Sequence, residues 1–291
     1  MPTRDEFLLA GLDRSSARGI ELGPFYAPLA PKAEGWNTWV IDSYDTVELR
    51  RRAFEHDDAI IRGFAHRVED VDVVWGGEPL DQVPALVAAA PFDYVVGRHV
   101  LEHAPDLLAF LRSARNLISD TGVIAMAIPD SRYCFDIFRP LTGLPAVLAA
   151  HRMGRTRHFP EVLLEQIGYC MYRGGVGAWV KSSREPLTLM GNLAWANTNY
   201  LSAIEALDDP SSEYVDAHAW VFVPASFELL LLELRALGLL DLTIDAFDSG
   251  GEASEFLVRM RPSDERPEGA SLESRRFDLM VRAREELKAA F

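Results

Sequence analysis

Residues 92–130 read FDYVVGRHVLEHAPDLLAFLRSARNLISDTGVIAMAIPD. The run FDYVVG at 92–97 is short and apolar, the pattern of a strand covered on both faces of a parallel sheet. A helix is expected to begin near Pro105, whose fixed φ and missing N–H suit a first turn. Beyond it Leu107, Leu108, Leu111, Ala114 and Leu117 or Ile118 recur at helical spacing, which gives that helix one apolar face. Asp-Thr-Gly at 120–122 reads as a turn, and VIAMAIPD at 123–130 as the next strand. Strand, helix and strand in this order make a right-handed crossover, the repeating unit of a doubly wound parallel sheet.

The same rhythm extends upstream. A short helix at 4–15 leads to GIELGP, a strand over 19–24 that stops on glycine and proline. NTWVIDSYDT gives a second strand ending at Asp42, followed by a helix from about Val47 to His56, and VDVVW at 71–75 gives a third, closed by Gly76 and Gly77. Downstream the rhythm breaks: residues 131–215 hold two helices, near 140–150 and 160–171, but no clear strand–helix–strand repeat. It resumes with a helix opening at Pro224 and breaking at Gly238, then LTIDAF and EFLVRM, two strands joined by an acidic Gly-containing turn as an antiparallel hairpin at the sheet edge. A charged amphipathic helix over 271–290 places Leu272, Leu279, Ala283 and Leu287 on one stripe, to dock on its own domain or on a second subunit as a homodimer. The expected fold is α/β: a Rossmann-like, doubly wound, mostly parallel seven-stranded sheet with a terminal antiparallel hairpin and a helical insertion after the fifth strand. Its expected parts are a core over 1–130 and 216–262, an inserted cap over 131–215 and a C-terminal helix over 263–291.

Formal charge is −15, from 44 acidic against 29 basic residues. Such a surface repels phosphate backbones and anionic lipid heads, so neither nucleic acid nor membrane is an expected partner. Cys134 and Cys170, without CxxC or Cys/His spacing, give no disulfide framework and no zinc site, and fit reduced thiols in a cytoplasmic protein. The N-terminus lacks the apolar core and cleavage site expected of a signal peptide, and the apolar runs, such as Leu229–Leu232, are far below spanning length.

A nucleoside cofactor binds at the carboxyl ends of parallel strands, where the first turn must let it approach the backbone. GIELGPFYAP offers Glu21, Gly23 and Pro24 there, and about 20 residues on Asp42 supplies a carboxylate for both ribose hydroxyls. A dinucleotide requires GxGxxG for its pyrophosphate, whereas only Gly23 is present, and an acid at 21 suits the ammonium of a methionine moiety instead. S-adenosyl-L-methionine (SAM) is therefore favoured over a dinucleotide, with S-adenosylhomocysteine (SAH) as product.

On these residues the stretch 92–130 resembles the motif IV to motif V region of class I SAM-dependent methyltransferases, in which FDxVxxxxVLEH precedes an amphipathic helix and a strand ending in Pro-Asp. The nearest subgroup is that of bacterial methyltransferase-domain proteins with an E-x-G-P first loop and a PDxRYxFDxFR stretch. The resemblance implies Glu21 and Gly23 in the first loop, Asp42 on the ribose, Trp75 and Gly76 beside the adenine, and Arg98 and His99 on the motif IV loop. The chain departs from the family's glycine-rich first loop at Phe25 and Ala27, and shows no clear adenine-binding acid after the third strand.

Methyl transfer is an in-line displacement in which a protein supplies alignment, desolvation and sometimes a base. His99, His218 and Tyr133 are the candidate bases; in this fold the segment holding His218 and Trp220 faces the acceptor, and the alternative for His218 is a satisfied structural histidine. Asp130, Arg132 and Tyr133, with Asp136 and Arg139, either orient a polar acceptor or pair with one another. Arg155 and Arg157 in HRMGRTRH are a phosphate or carboxylate clamp or a solvated turn. Glu102 and His103 are expected to cap and pack the following helix. No metal site is expected, because no HxH or HxxxH pairs with a carboxylate. The readings are a methyltransferase acting on a small polar acceptor (a sugar, an amino-acid-derived metabolite or a natural-product intermediate), a SAM-binding enzyme of other chemistry, and a non-catalytic binding module.

Overall fold

The computed structural model describes residues 2–207, 209, 212 and 214–289. The chain opens with α1 (Arg4–Leu8), β1 (Arg18–Leu22), β2 (Asn37–Asp42), α2 (Thr46–Glu55), α3 (Ala59–Phe64), β3 (Val73–Val74) and α4 (Pro84–Ala89). The deciding stretch follows as β4 (Phe92–Arg98), α5 (Leu107–Leu117) and β5 (Ile118–Pro129). After it come α6 (Leu144–Arg152), α7 (Pro160–Tyr169), β6 (Met171–Arg173), β7 (Leu187–Leu189), α8 (Leu193–Ala206), α9 (Pro224–Ala236), β8 (Leu242–Asp248), β9 (Glu255–Pro262) and α10 (Gly269–Lys288).

Seven strands form one sheet in the order β3-β2-β1-β4-β5-β9-β8, parallel from β3 through β5 and antiparallel across β5, β9 and β8. This is the doubly wound, Rossmann-like sheet expected from the sequence, with its terminal hairpin at one edge. Successive residues of β4 face opposite layers: Val95 packs with Leu108, Leu111 and Phe227, while Tyr94 and Val96 pack with Leu8 and Ala125. Pleating alone explains why FDYVVG carries no hydrophobic alternation, since both faces are covered. At the centre, Gly19 leaves room for the Tyr94 ring, which a Cβ would meet at 2.2 Å.

The structure corrects several boundaries. The first helix ends at Leu8. β3 is only two residues long, because the Asp72 carboxylate, rather than a strand carbonyl, takes the Val40 N–H at 2.7 Å. The turn expected at 120–122 is a bulge inside β5, between the pairs Phe92–Ile118 and Tyr94–Val123. Helices α3, α4 and α8 and the β6–β7 hairpin had no clear sequence signal. The stripe of α10 docks on its own chain, with Leu279 and Ala283 buried against Val223 and Ala225. No helix among the described residues is long and apolar enough to cross a membrane.

Candidate functional site

The parallel strands bring Glu21, Asp42 and Arg98 to one end of the sheet. Gly23 holds φ +57°, which glycine adopts without strain, and its N–H donates to the Ile41 carbonyl at 2.8 Å. Asp42, 7% exposed, closes β2, and its carbonyl accepts the Trp75 N–H at 2.8 Å. Backbone hydrogen bonds thus tie Gly23 and Trp75 to the last two residues of β2, Ile41 and Asp42. Burial pushes the Asp42 carboxyl up, while the amides of Ser43, Tyr44 and Phe25 pull it back. Gly76 donates its N–H to the Glu78 carboxylate at 3.1 Å, and the Trp75 indole donates to the Glu78 carbonyl at 2.6 Å. Glu78 is therefore an acid following the third strand, where none had been identified from sequence.

Glu21 has a task within the chain as well. Its carboxylate, 1% exposed, accepts the N–H of Leu29 at 2.6 Å and of Ala30 at 3.0 Å. Each oxygen thus helps to pin the loop 23–30, which borders Gly23 and Pro24. Burial pushes its carboxyl up to about 7 in spite of the two amides. At the end of β4, His99 holds a left-handed φ of +53° and its Nε2 lies 2.8 Å from Glu255 Oε2. Such a backbone is unusual for a non-glycine residue and is most often kept where function needs it.

The acceptor-side expectations fare unevenly. Asp130 and Arg132 are buried and bind each other, Nε to Oδ1 at 2.8 Å and Nη2 to Oδ2 at 2.5 Å, so neither is left for a ligand. Arg139 likewise binds Asp136 at 2.7 Å and Glu165 at 2.9 Å. Tyr133 is partly exposed, with the Arg132 guanidinium 5.0 Å and the Lys181 ammonium 5.3 Å from its ring centre. Arg157 donates to the Ser212 side chain and carbonyl. Arg155 stacks at 3.3 Å over the Phe159 ring and lines a cavity of about 250 Å³ together with Trp75, Glu78, Pro105, Phe110 and His151; neither Gly23 nor Asp42 lines it. Trp220 belongs to the main core and donates its indole N–H to the Ala104 carbonyl at 2.5 Å, so it walls no pocket.

Glu102 and His103 do not cap α5; Asp106 does, accepting the Ala109 N–H at 2.9 Å. They join His218 instead, although 115 residues separate His103 from it. Glu102 Oε1 lies 3.8 Å from His103 Nε2 and 3.9 Å from His218 Nε2. The far nitrogens are held by carboxylates, His103 Nδ1 by Asp216 at 3.0 Å and His218 Nδ1 by Asp136 at 2.6 Å. Burial opposes the charge of Asp136, but the His218 hydrogen bond and Arg139 outweigh it and keep the carboxyl below the usual range. The thiols of Cys134 and Cys170 each lie 3.7 Å from the same carboxylate. Backbone hydrogen bonds lock the two segments together, the Glu102 carbonyl accepting the Ala219 N–H at 2.7 Å. Sequence spacing gave no signal for this cluster, because its members come together only in the fold.

A family model described as a methyltransferase domain matches residues 3–186, and the chain belongs to that family. With its doubly wound seven-stranded sheet it is a class I SAM-dependent methyltransferase, and its cofactor is SAM. No curated protein matches. Among solved structures the chain is similar to CcbJ, a methyltransferase from Streptomyces caelestis, at 11% identity over 89% of this chain and 94% of that one, with a TM-score of 0.43. It is also similar to a SAM-dependent methyltransferase from Mesorhizobium loti, at 13% identity over 88% and 97%, with a TM-score of 0.42. A protein described as a putative zinc-dependent alcohol dehydrogenase from Rhodobacter sphaeroides gives 11% identity over 89% and 88%, with a TM-score of 0.46. At such distances no acceptor carries across. The residues of the rim fit the cofactor: a left-handed glycine lets a ligand approach the first loop, and a buried carboxylate closes β2 beside it.

Proposed function

We propose that this chain transfers a methyl group from SAM to a small polar acceptor, such as a sugar, an amino-acid-derived metabolite or a natural-product intermediate. The observation that carries the reading is the rim at the carboxyl ends of β1, β2 and β3, where the Gly23 N–H donates to the Ile41 carbonyl and the Trp75 N–H to the Asp42 carbonyl. Asp42 binds the ribose hydroxyls, Trp75 and Gly76 border the adenine, and Pro24, Arg98 and His99 complete the wall. When bound, SAM supplies an electrophilic methyl on a sulfonium. The chain contributes alignment and exclusion of water, worth far more than any single contact in such a displacement. His99, held through Nε2 by Glu255, keeps Nδ1 to take the acceptor proton.

The strongly acidic surface disfavours nucleic acid, and the insertion over 131–215 supplies acceptor specificity beside Tyr133 and Arg155. The test is incubation of the purified chain with SAM and a panel of small polar metabolites, following SAH release and product mass. SAH together with a product heavier by one methyl supports the reading. SAH without a methylated product points to other transfer chemistry, and folded chain that binds neither SAM nor SAH overturns it in favour of a non-catalytic module.

A further inference from the structure

The Glu102 side chain is 1% exposed, and neither of its carboxylate oxygens has a hydrogen-bond partner. Buried carboxylates are almost always hydrogen-bonded or paired, so one left bare points to a missing electrophile. What faces it is two imidazole nitrogens. Asp216 and Asp136 accept from Nδ1 of His103 and His218, so each ring in its neutral form carries its proton there and leaves Nε2 as a lone-pair donor, 3.8 and 3.9 Å from Glu102 Oε1. Three donor atoms then lie close together with no hydrogen bond between them. A cation satisfies all three at once.

We propose that Glu102, His103 Nε2 and His218 Nε2 bind one divalent transition-metal ion. Two neutral imidazoles and one carboxylate suit zinc and its first-row neighbours, whereas magnesium and calcium prefer oxygen ligands. The two separations from Glu102, 3.8 and 3.9 Å, compare with about 3.4 Å across a tetrahedral zinc shell, and all three ligand atoms lie within 4.8 Å of one another, so the side chains must draw in on the ion. The carboxylate behind each imidazole is the arrangement that orients metal-binding histidines and raises their basicity. Asp136 is itself fixed by Arg139 at 2.7 Å, and the His218 N–H donates to Gln166 Oε1 at 2.6 Å, so the ligands stand on a rigid frame.

Three protein ligands leave room in the shell, and the His103 side chain, 30% exposed, borders solvent. In the methyltransferase reading, on which this last step rests, the open position takes an oxygen of the acceptor. The acceptor class is then a hydroxyl or carboxylate compound able to coordinate a metal, and the ion lowers the pKa of a bound hydroxyl.

The test uses full-length chain stripped with a chelator and titrated with Co²⁺, without SAM. A ligand-field absorption band that saturates at one ion per chain and is displaced by Zn²⁺ is expected. Glu102→Gln and His218→Ala should each weaken Co²⁺ binding more than about 100-fold, Asp136→Asn about 10- to 100-fold, and the exposed His66→Ala not at all. Absence of the band and of stoichiometric Zn²⁺ in the unsubstituted folded chain overturns the proposal and leaves a proton as the occupant. Titration of SAH into stripped and loaded chain separates the two readings: SAH binding without metal binding refutes the metal site alone, and metal binding without SAH binding refutes the cofactor reading alone.

Discussion

Replacing Asp42 by Ala probes the cofactor rim most directly. The carboxylate is nearly buried at the end of β2, beside the left-handed Gly23, and accepts the Ser43 N–H at 2.8 Å. A ribose diol gives it two further charge-assisted hydrogen bonds, each worth about 1.5–3 kcal/mol. Removing the side chain removes both, and the shortened site admits water as a partial substitute. The net loss is expected near 3 kcal/mol, roughly 100-fold or more in Kd. Asp42→Asn keeps one neutral carbonyl oxygen, shared between the Ser43 N–H and the diol, and replaces the other oxygen by an NH2 donor, so it should fall between parent and Ala, at about 10-fold or somewhat more. Calorimetric titration with SAH measures both, with far-UV circular dichroism and thermal melting to establish the fold. SAH binding by folded Asp42→Ala within about threefold of the parent would refute the placement of the ribose on this carboxylate.

Other consequences concern the frame. Because burial holds the Glu21 carboxyl at about 7 against an ordinary 4.5, the folded chain binds this proton more tightly than the unfolded chain. Its contribution to stability is complete below about pH 4.5 and lost as pH rises through 7, so the parent should lose about 3 kcal/mol relative to Glu21→Gln across that window in urea denaturation. A difference that stays flat with pH is the contrary result. Gly19→Ala, whose Cβ would stand 2.2 Å from the Tyr94 ring, is expected to cost about 1–3 kcal/mol by overpacking, read from the denaturation midpoint; an unchanged midpoint means the ring can withdraw. Arg132→Ala leaves the fully buried Asp130 without its counter-charge and should destabilise by about 3–5 kcal/mol, whereas a loss under 1 kcal/mol would show the pair to be dispensable.

The fold was legible in the sequence where one physical constraint acted alone. The β4–α5–β5 unit betrays itself because a strand buried on both faces must be apolar throughout, and a helix packed on one side must repeat near every 3.6 residues. β3 misled because a side chain, Asp72, replaces a backbone partner for Val40, which no hydrophobic pattern encodes. The placement of Gly23 and Trp75 on either side of the end of β2 that carries Asp42 was readable for a topological reason: parallel strands deliver their last residues to one end of the sheet. The loop-pinning role of Glu21 was not legible, since its two amide donors at Leu29 and Ala30 lie on an irregular loop. The Glu102 cluster stayed hidden because its ligands are adjacent only after the segment carrying His218 folds back onto the loop following β4. Asp130 and Arg132, by contrast, were near enough in sequence for mutual pairing to be foreseen.

The backbone knot between Glu102 and Ala219, tightened by Asp136 on His218, closes the chain on itself around a stretch of some eighty residues. The parts of that stretch that touch neither clasp nor core can grow, shrink or be exchanged, because lengthening a closed loop costs entropy only slowly. The β6–β7 hairpin and α8 are such parts, whereas Val147, Ala150, Glu165 and Gln166 belong to the core or hold Arg139 and His218 and have to be kept. Transplanting the corresponding parts from a relative with a different acceptor, while leaving Asp136, Glu102 and His218 in place, is the natural way to make this scaffold accept new molecules.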